Sequence, residues 1–376
     1  MQPPVPPVTV TPPPGPQQAE PGELLVAWRS SAEADAGIAE IQARFGVAPI
    51  ERVPLPALAR VLAVYRFASA GEAATARAQL AAERPQLLVD LNTLYFPLAD
   101  PRQYAASQVD LPGGAAPPGP PARVGMLDTR VEPVPALAGT TVVRKRFSAA
   151  DAVPAFPAHG TAVATLLTGR DAARGFEGAA AGAELYAGEV MRVRAGREDT
   201  NARIVLEGLD WLLSENVRVV NLSLGGAPNR LLADATETIL ARTVVVVAAA
   251  GNAGPGAPQS YPAAYPGVIA VTANDAAGRV YDRANHGGYI ALSAPGVDVW
   301  VPDAGSGRYV SGTSFAAAWV SGAAARLVGQ SPRLKPPQVR AQFCAAARDL
   351  GAPGRDAVFG CGLLQMKRAL EFAGGR

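Results

Sequence analysis

Four side chains able to carry out acyl-transfer chemistry are spread along this 376-residue chain: Asp128, His159, Asn252 and Ser314. A hydroxyl nucleophile needs a base, the base needs a carboxylate that orients it, and the tetrahedral intermediate needs hydrogen-bond donors for its oxyanion. Taken singly, Asp128 could cap a turn, His159 could be a surface imidazole and Ser314 could be a helix N-cap. Taken together, the four residues fill every role, and we interpret them as a catalytic set.

The elements expected around these residues form an α/β domain. Five apolar runs after Pro121 alternate with helical stretches, which indicates a parallel sheet covered by helices on both faces. The runs span residues 124–127, 185–191, 218–224, 243–250 and 268–273. Ligands of such sheets bind beyond the carboxyl ends of the strands. Asp128 and Asn252 follow two of these runs closely, and His159 and Ser314 begin predicted helices.

The first third of the chain has a different organisation. Nine prolines fall in residues 1–21, which predicts a Pro-rich disordered linker. Residues 22–98 show the order β-α-β-β-α-β of a small ferredoxin-like α+β domain. A Pro/Gly-rich linker over 99–122 then precedes the large domain, which we predict over 123–376.

The composition excludes several classes of protein. The 34 basic and 32 acidic residues give a net charge of +2, which provides no field to hold a nucleic acid. The longest apolar run, 244–250, is far shorter than the ~20 residues of a membrane-spanning helix. Two His and two Cys residues make no zinc site of the usual kind. Cys344 and Cys361 are compatible with one disulfide and equally with two free thiols.

The motifs around the four residues resemble those of the subtilisin-type serine proteases, or subtilases. Asp128 lies in VGMLDT, His159 in HGTAVA, Asn252 in AAAGNAG and Ser314 in SGTSFAAA, and the order Asp, His, Ser is also that of the family. The similarity runs from Val124 to the C-terminus. It implies a three-layer domain with a mainly parallel sheet between helices. It also implies a serine endopeptidase with Asp128, His159 and Ser314 as the triad and Asn252 in the oxyanion hole.

The resemblance also suggests where a polypeptide substrate binds. NLSLGG, residues 221–226, is similar to the substrate-binding strand of the family, which would pair with an extended peptide through its main chain. Small residues before Asn252 would form the wall of the adjacent pocket. The two groups of expected substrate-binding residues are Ser223, Leu224 and Gly225, and Ala249, Ala250 and Gly251.

Two positions depart from the family pattern. Arg130 stands where the family usually has a glycine after the motif of the catalytic Asp, and we expect this side chain to narrow the cleft. Ala162 replaces a second histidine that is common in the motif of the catalytic His. Neither change removes a catalytic atom, so we expect an effect on specificity rather than on activity.

Residues 22–98 are similar to the inhibitor prodomain of subtilases. The resemblance implies an intramolecular inhibitor that is released by cleavage between about Leu98 and Pro121; an unrelated binding module is the alternative. Subtilases often bind calcium, but no calcium loop can be matched here, so we assign no metal and no cofactor.

We predict a monomer that acts on polypeptides. On family habit we place it outside the cytoplasm, as a secreted, periplasmic or cell-surface protein whose leader is absent from this sequence. Because export is expected and no other cysteine exists, we predict a disulfide between Cys344 and Cys361.

Two other functions deserve comparison. A catalytically idle subtilase fold, with its prodomain permanently bound, would act as a binding or scaffold protein. An esterase of the α/β-hydrolase kind would need the motif G-x-S-x-G and the order Ser, Asp, His. Ser314 lies in GTSFA and comes last of the three, so the sequence excludes the esterase.

Overall fold

The structure is a computed structural model that describes residues 19–93, 104–113, 121–148, 152–304 and 307–374. The chain divides into two compact units, residues 1–99 and 100–376. Most of the predicted linker over 1–21 lies outside the described residues, and its last three residues begin the first strand.

The first unit is a four-stranded antiparallel sheet with two helices. The strands occur in the order β2-β3-β1-β4, and the element order β-α-β-β-α-β is the ferredoxin-like one that the sequence predicts. Its elements are β1 (Ala19–Trp28), α1 (Ser31–Phe45), β2 (Pro49–Leu55), β3 (Arg60–Arg66), α2 (Ala70–Glu83) and β4 (Leu88–Thr93). Ser30 caps α1 by accepting a hydrogen bond from Glu33 N, and Gly46 ends it with a positive φ of 71°.

The second unit contains the large sheet. Its strands, all parallel, occur in the order β16-β15-β14-β13-β5-β10-β6. They are β5 (Arg123–Asp128), β6 (Val142–Arg146), β10 (Glu184–Glu189), β13 (Val219–Leu222), β14 (Val245–Ala249), β15 (Ile269–Asn274) and β16 (Ile290–Pro295). Short strands complete the unit: β7 (Val153–Pro154), β8 (Arg170–Asp171), β9 (Phe176–Glu177), β11 (Arg192–Arg194), β12 (Arg197–Asp199), β17 (Val299–Val301) and β18 (Arg308–Val310).

Helices cover the sheet on both faces. They are α3 (Tyr104–Gln108), α4 (Ala158–Thr168), α5 (Ala202–Ser214), α6 (Arg230–Ala241), α7 (Thr313–Gln330), α8 (Pro336–Ala346) and α9 (Met366–Gly374). Met126 packs with residues of α4, α7, α8 and α9 in one core, whereas its neighbour Leu127 packs with α5 and α6 in the other. The alternation of side chains along β5 therefore separates the two cores, and the predicted three-layer α/β fold is confirmed.

The structure differs from the predicted linker over 99–122 at residues 104–113. Tyr104 and Val109 are buried in the core of the second unit, and Tyr104 Oη donates a hydrogen bond of 2.5 Å to Val297 O. Gln108 Nε2 donates to Asp275 O at 2.9 Å. The Pro and Gly residues after position 111 concealed this helix, because one turn and a half is too short to show helical periodicity.

One strand of the large sheet, β6, was not predicted. It is an edge strand with a largely exposed sequence rich in Arg and Lys, so it lacks the apolar run of a buried strand. In the described residues, no helix is long and apolar enough to cross a membrane.

Candidate active site

Asp128 is the last residue of β5 and lies at the carboxyl edge of the large sheet. Its side chain is only 1% exposed. Oδ1 accepts a hydrogen bond of 2.7 Å from Thr129 N and lies 2.7 Å from Nδ1 of His159. A buried carboxylate needs such hydrogen-bond partners to offset its lost hydration, and here it also meets the imidazole that it would orient.

His159 is the second residue of α4, whose first turn is held against β5 by Thr129. The Thr129 hydroxyl accepts a hydrogen bond of 2.8 Å from Gly160 N. A Cβ at position 160 would come within 2.3 Å of Thr129 O, so only glycine permits this approach. Thr129 therefore contacts both the carboxylate and the helix that carries the imidazole.

Burial of the His159 ring favours the neutral imidazole and is the largest single effect, but the charge of Asp128, its hydrogen bond and the charge of Glu198 together favour the cation more strongly. As a result, the pKa of His159 is raised above its ordinary value of 6.5. The Asp128 contact assigns the proton of the neutral ring to Nδ1, since a carboxylate accepts and does not donate. Nε2 is then the ring atom that can take up a proton.

Ser314 is the second residue of α7 and is 6% exposed. Its position in the first turn leaves its own N–H without an acceptor inside the helix. The ring of the next residue, Phe315, has its centroid 5.3 Å from that of His159, so the starts of α7 and α4 lie side by side. No hydrogen bond joins Ser314 Oγ to the imidazole among the described residues; such contacts often tighten only when substrate binds.

Asn252 follows β14 and is bound to the start of α7. Its Oδ1 accepts hydrogen bonds from the N–H and the hydroxyl of Thr313, both at 3.0 Å. Because the oxygen is engaged there, the amide orientation is fixed and Nδ2 remains available as a donor. Gly251, with φ of 110°, makes the turn, and a Cβ there would come within 2.8 Å of Asn285 Nδ2.

A cleft of about 270 Å³ brings most of the predicted site residues together. It is lined by Ser223, Leu224, Gly225, Ala249, Gly251, Asn252, Ala253, Ser260, Asn285, Thr313 and Ser314. Ala250 differs from the expectation: it is fully buried, its N–H donates to Val271 O and its carbonyl accepts from Tyr289 Oη. Its alternation with Ala249 along the chain turns it away from the cleft.

The segment after β13 offers free main-chain groups to this cleft. Among the described residues, no hydrogen bond involves the backbone N–H or C=O of Leu224 or Gly225. The next residue, Gly226, pairs with Tyr261 through hydrogen bonds of 2.9 and 3.0 Å. Leu224 and Gly225 are therefore fixed in position on one side by β13 and on the other side by the pairing of Gly226 with Tyr261.

Arg130 is not among the residues that line this cleft, and neither are Asp128 and His159. Arg130 forms an ion pair with Glu132 and lines a separate cavity of about 390 Å³ with residues of β6 and β10.

Cys344 of α8 and Cys361 are joined by a disulfide with a Cα–Cα distance of 5.1 Å. They lie in the C-terminal part of the second unit and belong to neither the cleft nor the hydrogen bonds around it. Within the described residues, no group of three or more His, Cys, Asp or Glu side chains is arranged to hold a metal ion.

Several hydrogen-bonding residues of the site were not singled out from the sequence. Thr129 and Thr313 each stand beside a candidate catalytic residue, and their hydroxyls bond to the partner segment. A buried chain of side chains also ties β13 to α7: Ser321 Oγ donates to Asn221 Oδ1 at 2.8 Å, and Asn221 Nδ2 donates to Ser223 Oγ at 3.0 Å. The signal of Thr129, Asn221 and Thr313 was their place inside the motifs, since motif residues without chemistry of their own can serve as supports, whereas Ser321 lies outside the motifs.

Comparisons with known proteins identify the family of this chain. The model of the subtilase family, Peptidase_S8, matches residues 123–362. The chain is 33% identical over 217 residues to the minor extracellular protease Epr of Bacillus subtilis, and this match covers 56% of the chain but 32% of Epr. It is 35% identical over 219 residues to subtilisin DY of Bacillus licheniformis, covering 57% of the chain and 77% of that relative.

Solved structures give the same result. The patellamide maturation protease PatA is 28% identical with a TM-score of 0.58, covering 68% of this chain and 97% of the solved one. Fervidolysin from Fervidobacterium pennivorans, a keratinolytic enzyme related to subtilisin, has a TM-score of 0.62 at 23% identity over 94% of this chain and 61% of its own, which shows the fold. The family match spans more than half of the chain, so the predicted resemblance is confirmed. This chain belongs to the subtilase family of serine proteases.

Proposed function

We propose that this chain is a serine endopeptidase that hydrolyses peptide bonds in proteins through Ser314, His159 and Asp128. The observation that carries the proposal is the 2.7 Å contact between Asp128 Oδ1 and His159 Nδ1. It joins residues 31 positions apart at the edge of the sheet where chemistry is expected, and it leaves Nε2 as the proton acceptor. No observation favours the idle scaffold.

In the first half of the reaction, Ser314 Oγ attacks the carbonyl carbon of the scissile bond while His159 Nε2 takes the hydroxyl proton. The buried carboxylate of Asp128 stabilises the imidazolium that forms. Collapse of the tetrahedral intermediate breaks the C–N bond as the imidazolium gives its proton to the leaving amine. In the second half, water attacks the carbonyl carbon of the acyl-enzyme while His159 Nε2 takes a proton from the water. The imidazolium then gives this proton to Ser314 Oγ as the carboxylic acid product leaves, which regenerates the hydroxyl.

The oxyanion of that intermediate would be bound by Asn252 Nδ2 and by Ser314 N–H. Thr313 holds the Asn252 oxygen, so the amide group is oriented before substrate arrives. The start of α7 adds the positive end of the helix dipole. Donors fixed in advance need no reorganisation during the reaction, which is why they contribute strongly to catalysis.

Substrate would bind as an extended strand beside Leu224 and Gly225, whose main-chain groups have no hydrogen-bond partner within the described residues. Ser223 has a supporting part, because its hydroxyl donates to Ser314 O at 3.3 Å. Ala249 and Gly251 carry little or no side chain and leave space in the cleft for a substrate side chain.

The first unit would act as the inhibitor and folding aid of the second, and the catalytic unit would work as a monomer. Burial of Tyr104 and Val109 narrows the predicted processing interval, because cleavage beyond them would remove core residues from the mature enzyme. We therefore expect the scissile bond before Tyr104. The isolated segment 22–98 should inhibit the mature enzyme in trans, and no inhibition at micromolar concentration would contradict this part.

Export would place the enzyme outside the cytoplasm, as a secreted, periplasmic or cell-surface protein. The Cys344–Cys361 disulfide supports this, because such bonds persist mainly in oxidising compartments. The relative Epr is named an extracellular protease.

A fluorophosphonate that labels activated serine hydroxyls tests the catalytic proposal, together with casein hydrolysis. Wild type should be labelled after its N-terminal unit is removed, and Ser314→Ala should be neither labelled nor active. Ser311→Ala is the matched control, since this exposed serine lies three residues before the candidate nucleophile and bonds to Asp298. Equal labelling of wild type and Ser314→Ala would refute the assignment, and an unlabelled wild type would favour the scaffold.

A further inference from the structure

We propose that Glu198 and Arg308 are positioning residues for His159, because their side chains fasten the segment 156–158, which leads into the imidazole, from two separate hairpins. The inference rests on the proposed function and extends it to two residues that lie outside every catalytic motif.

Glu198 belongs to the hairpin of β11 and β12, whose two-residue turn contains Ala195 and Gly196, both with positive φ. Strand β11 pairs with β7 just before the segment, with Val193 opposite Val153. Glu198 Oε1 then accepts a hydrogen bond of 2.9 Å from Phe156 N. The hairpin therefore holds the chain three residues before His159.

Arg308 belongs to the hairpin of β17 and β18, and β17 is buried in the core shared with α4. The guanidinium Nη2 of Arg308 donates a hydrogen bond to Ala158 O. Ala158 is the first residue of α4 and immediately precedes the imidazole. The β11–β12 hairpin thus binds the N–H of the residue before Pro157, and the β17–β18 hairpin binds the C=O of the residue after it.

The start of α4 needs such support. Its N-cap is Pro157, which provides no side-chain cap. In the first turn, Gly160 N donates to Thr129 Oγ1 and Thr161 N donates to Pro157 O. A misplacement of about 1 Å in a catalytic group can reduce the rate about 10²-fold, so groups that fix this turn affect catalysis without touching substrate.

The two residues also act on the charge of the imidazole with opposite signs. Burial lowers the pKa of His159, the carboxylates of Asp128 and Glu198 raise it, and the guanidinium of Arg308 lowers it. In the part of the chain that the structure describes, these are the charged groups that act on His159. Glu198 is exposed, so salt should weaken its effect. A purely mechanical support would not move this pKa in opposite directions.

The titration of His159 gives a readout that is independent of activity. The chain has only two histidines, so ¹³C-histidine labelling of the full-length protein yields two imidazole signals, which His286→Gln assigns. The measurement uses Ser314→Ala as background to prevent self-cleavage. In it, Glu198→Gln keeps the acceptor and removes the charge, Arg308→Gln removes the cation, and Arg197→Gln neutralises the neighbour of Glu198 as the matched control.

We expect Glu198→Gln to lower the pKa of His159, Arg308→Gln to raise it and Arg197→Gln to leave it nearly unchanged. Both shifts should shrink in 1 M salt, where the screening length is about 3 Å. Unchanged titrations, or shifts in the same direction, would overturn the inference. If Arg308→Gln does not fold, the comparison of Glu198→Gln with Arg197→Gln decides.

Steady-state kinetics of variants that keep Ser314 test whether Glu198 positions the segment before His159. Glu198→Ala should lower kcat about 10- to 100-fold with KM within about twofold, and Glu198→Gln should restore most of kcat because its amide oxygen can still bind Phe156 N. Equal kcat values for Glu198→Ala and Glu198→Gln would show that the hydrogen bond from Phe156 N to Glu198 does not position His159. Activity that persists in Ser314→Ala would instead refute the proposed function, so the two failures are distinguishable.

Discussion

Substituting Thr313 by valine tests how the proposed oxyanion donor is held. The Thr313 hydroxyl donates to Asn252 Oδ1 at 3.0 Å and accepts from Gly251 N at 3.2 Å. The residue is fully buried, and valine has nearly the same shape. Thr313→Val therefore removes two hydrogen bonds and little else, while the Thr313 backbone N–H remains 3.0 Å from Oδ1.

The size of the effect follows from these contacts. A neutral hydrogen bond contributes about 1 kcal/mol net, which is about fivefold in a rate constant. Asn252 keeps one of its two anchors, so we expect kcat to fall about five- to tenfold with KM nearly unchanged. Asn252→Ala removes the donor itself, which in subtilisin costs about 10²–10³-fold in kcat. Loss of the partner of Gly251 N should also reduce stability by about 1–3 kcal/mol.

Steady-state hydrolysis of a peptide substrate by both single variants and the double variant provides the assay. If Thr313 acts through Asn252, its substitution should cost nothing further in kcat once Asn252 is alanine. Thr272→Val is the matched control, since its hydroxyl is fully buried and has no partner among the described residues. An equal loss of kcat in both backgrounds would refute the reasoning, because the hydroxyl would then act independently of Asn252.

Three further perturbations test other parts of the structure. The rate should rise with pH through a value above 6.5, because the neighbouring carboxylate raises the pKa of His159 and only the neutral ring accepts a proton; a midpoint below 6.5 would contradict this. Reduction of the Cys344–Cys361 disulfide should lower the free energy of unfolding by about 3 kcal/mol on the chain-entropy model, measured by urea titration, and an unchanged midpoint would contradict it. Tyr104→Ala should lower it by about 3–5 kcal/mol, whereas the exposed control Tyr309→Ala should change it by less than about 0.5 kcal/mol; equal effects would show that Tyr104 is not a core residue.

The candidate catalytic groups could be proposed from the sequence because chemistry restricts residue type. Only a few side chains can serve as nucleophile, base or oxyanion donor, and His159 and Ser314 occur in motifs that also predict a helix start. The strands that carry Asp128 and Asn252 were predictable because strands buried on both faces leave long apolar runs. These signals are local, so they survive without knowledge of tertiary contacts.

The supports of the site were harder to predict because they depend on contacts between distant segments. Glu198 and Arg308 bond to backbone groups, and backbone groups carry no sequence signal. The sequence predicts a linker around Tyr104 because prolines and glycines follow it, and a single aromatic residue is too weak a signal to indicate a buried helix. The ion pair between Arg130 and Glu132 was not predicted because it depends on the geometry of the turn.

The hydroxyls beside the candidate catalytic residues bind the site together in a crossed pattern. Thr129 follows Asp128 but accepts from the helix that carries the imidazole. Thr313 precedes Ser314 but binds the side chain of Asn252. Each pair of adjacent residues thus contains one candidate catalytic group and one hydroxyl that binds another segment of the site. We therefore expect loss of either hydroxyl to weaken the positioning of a neighbouring segment, whereas Arg130 pairs only with Glu132 among the described residues.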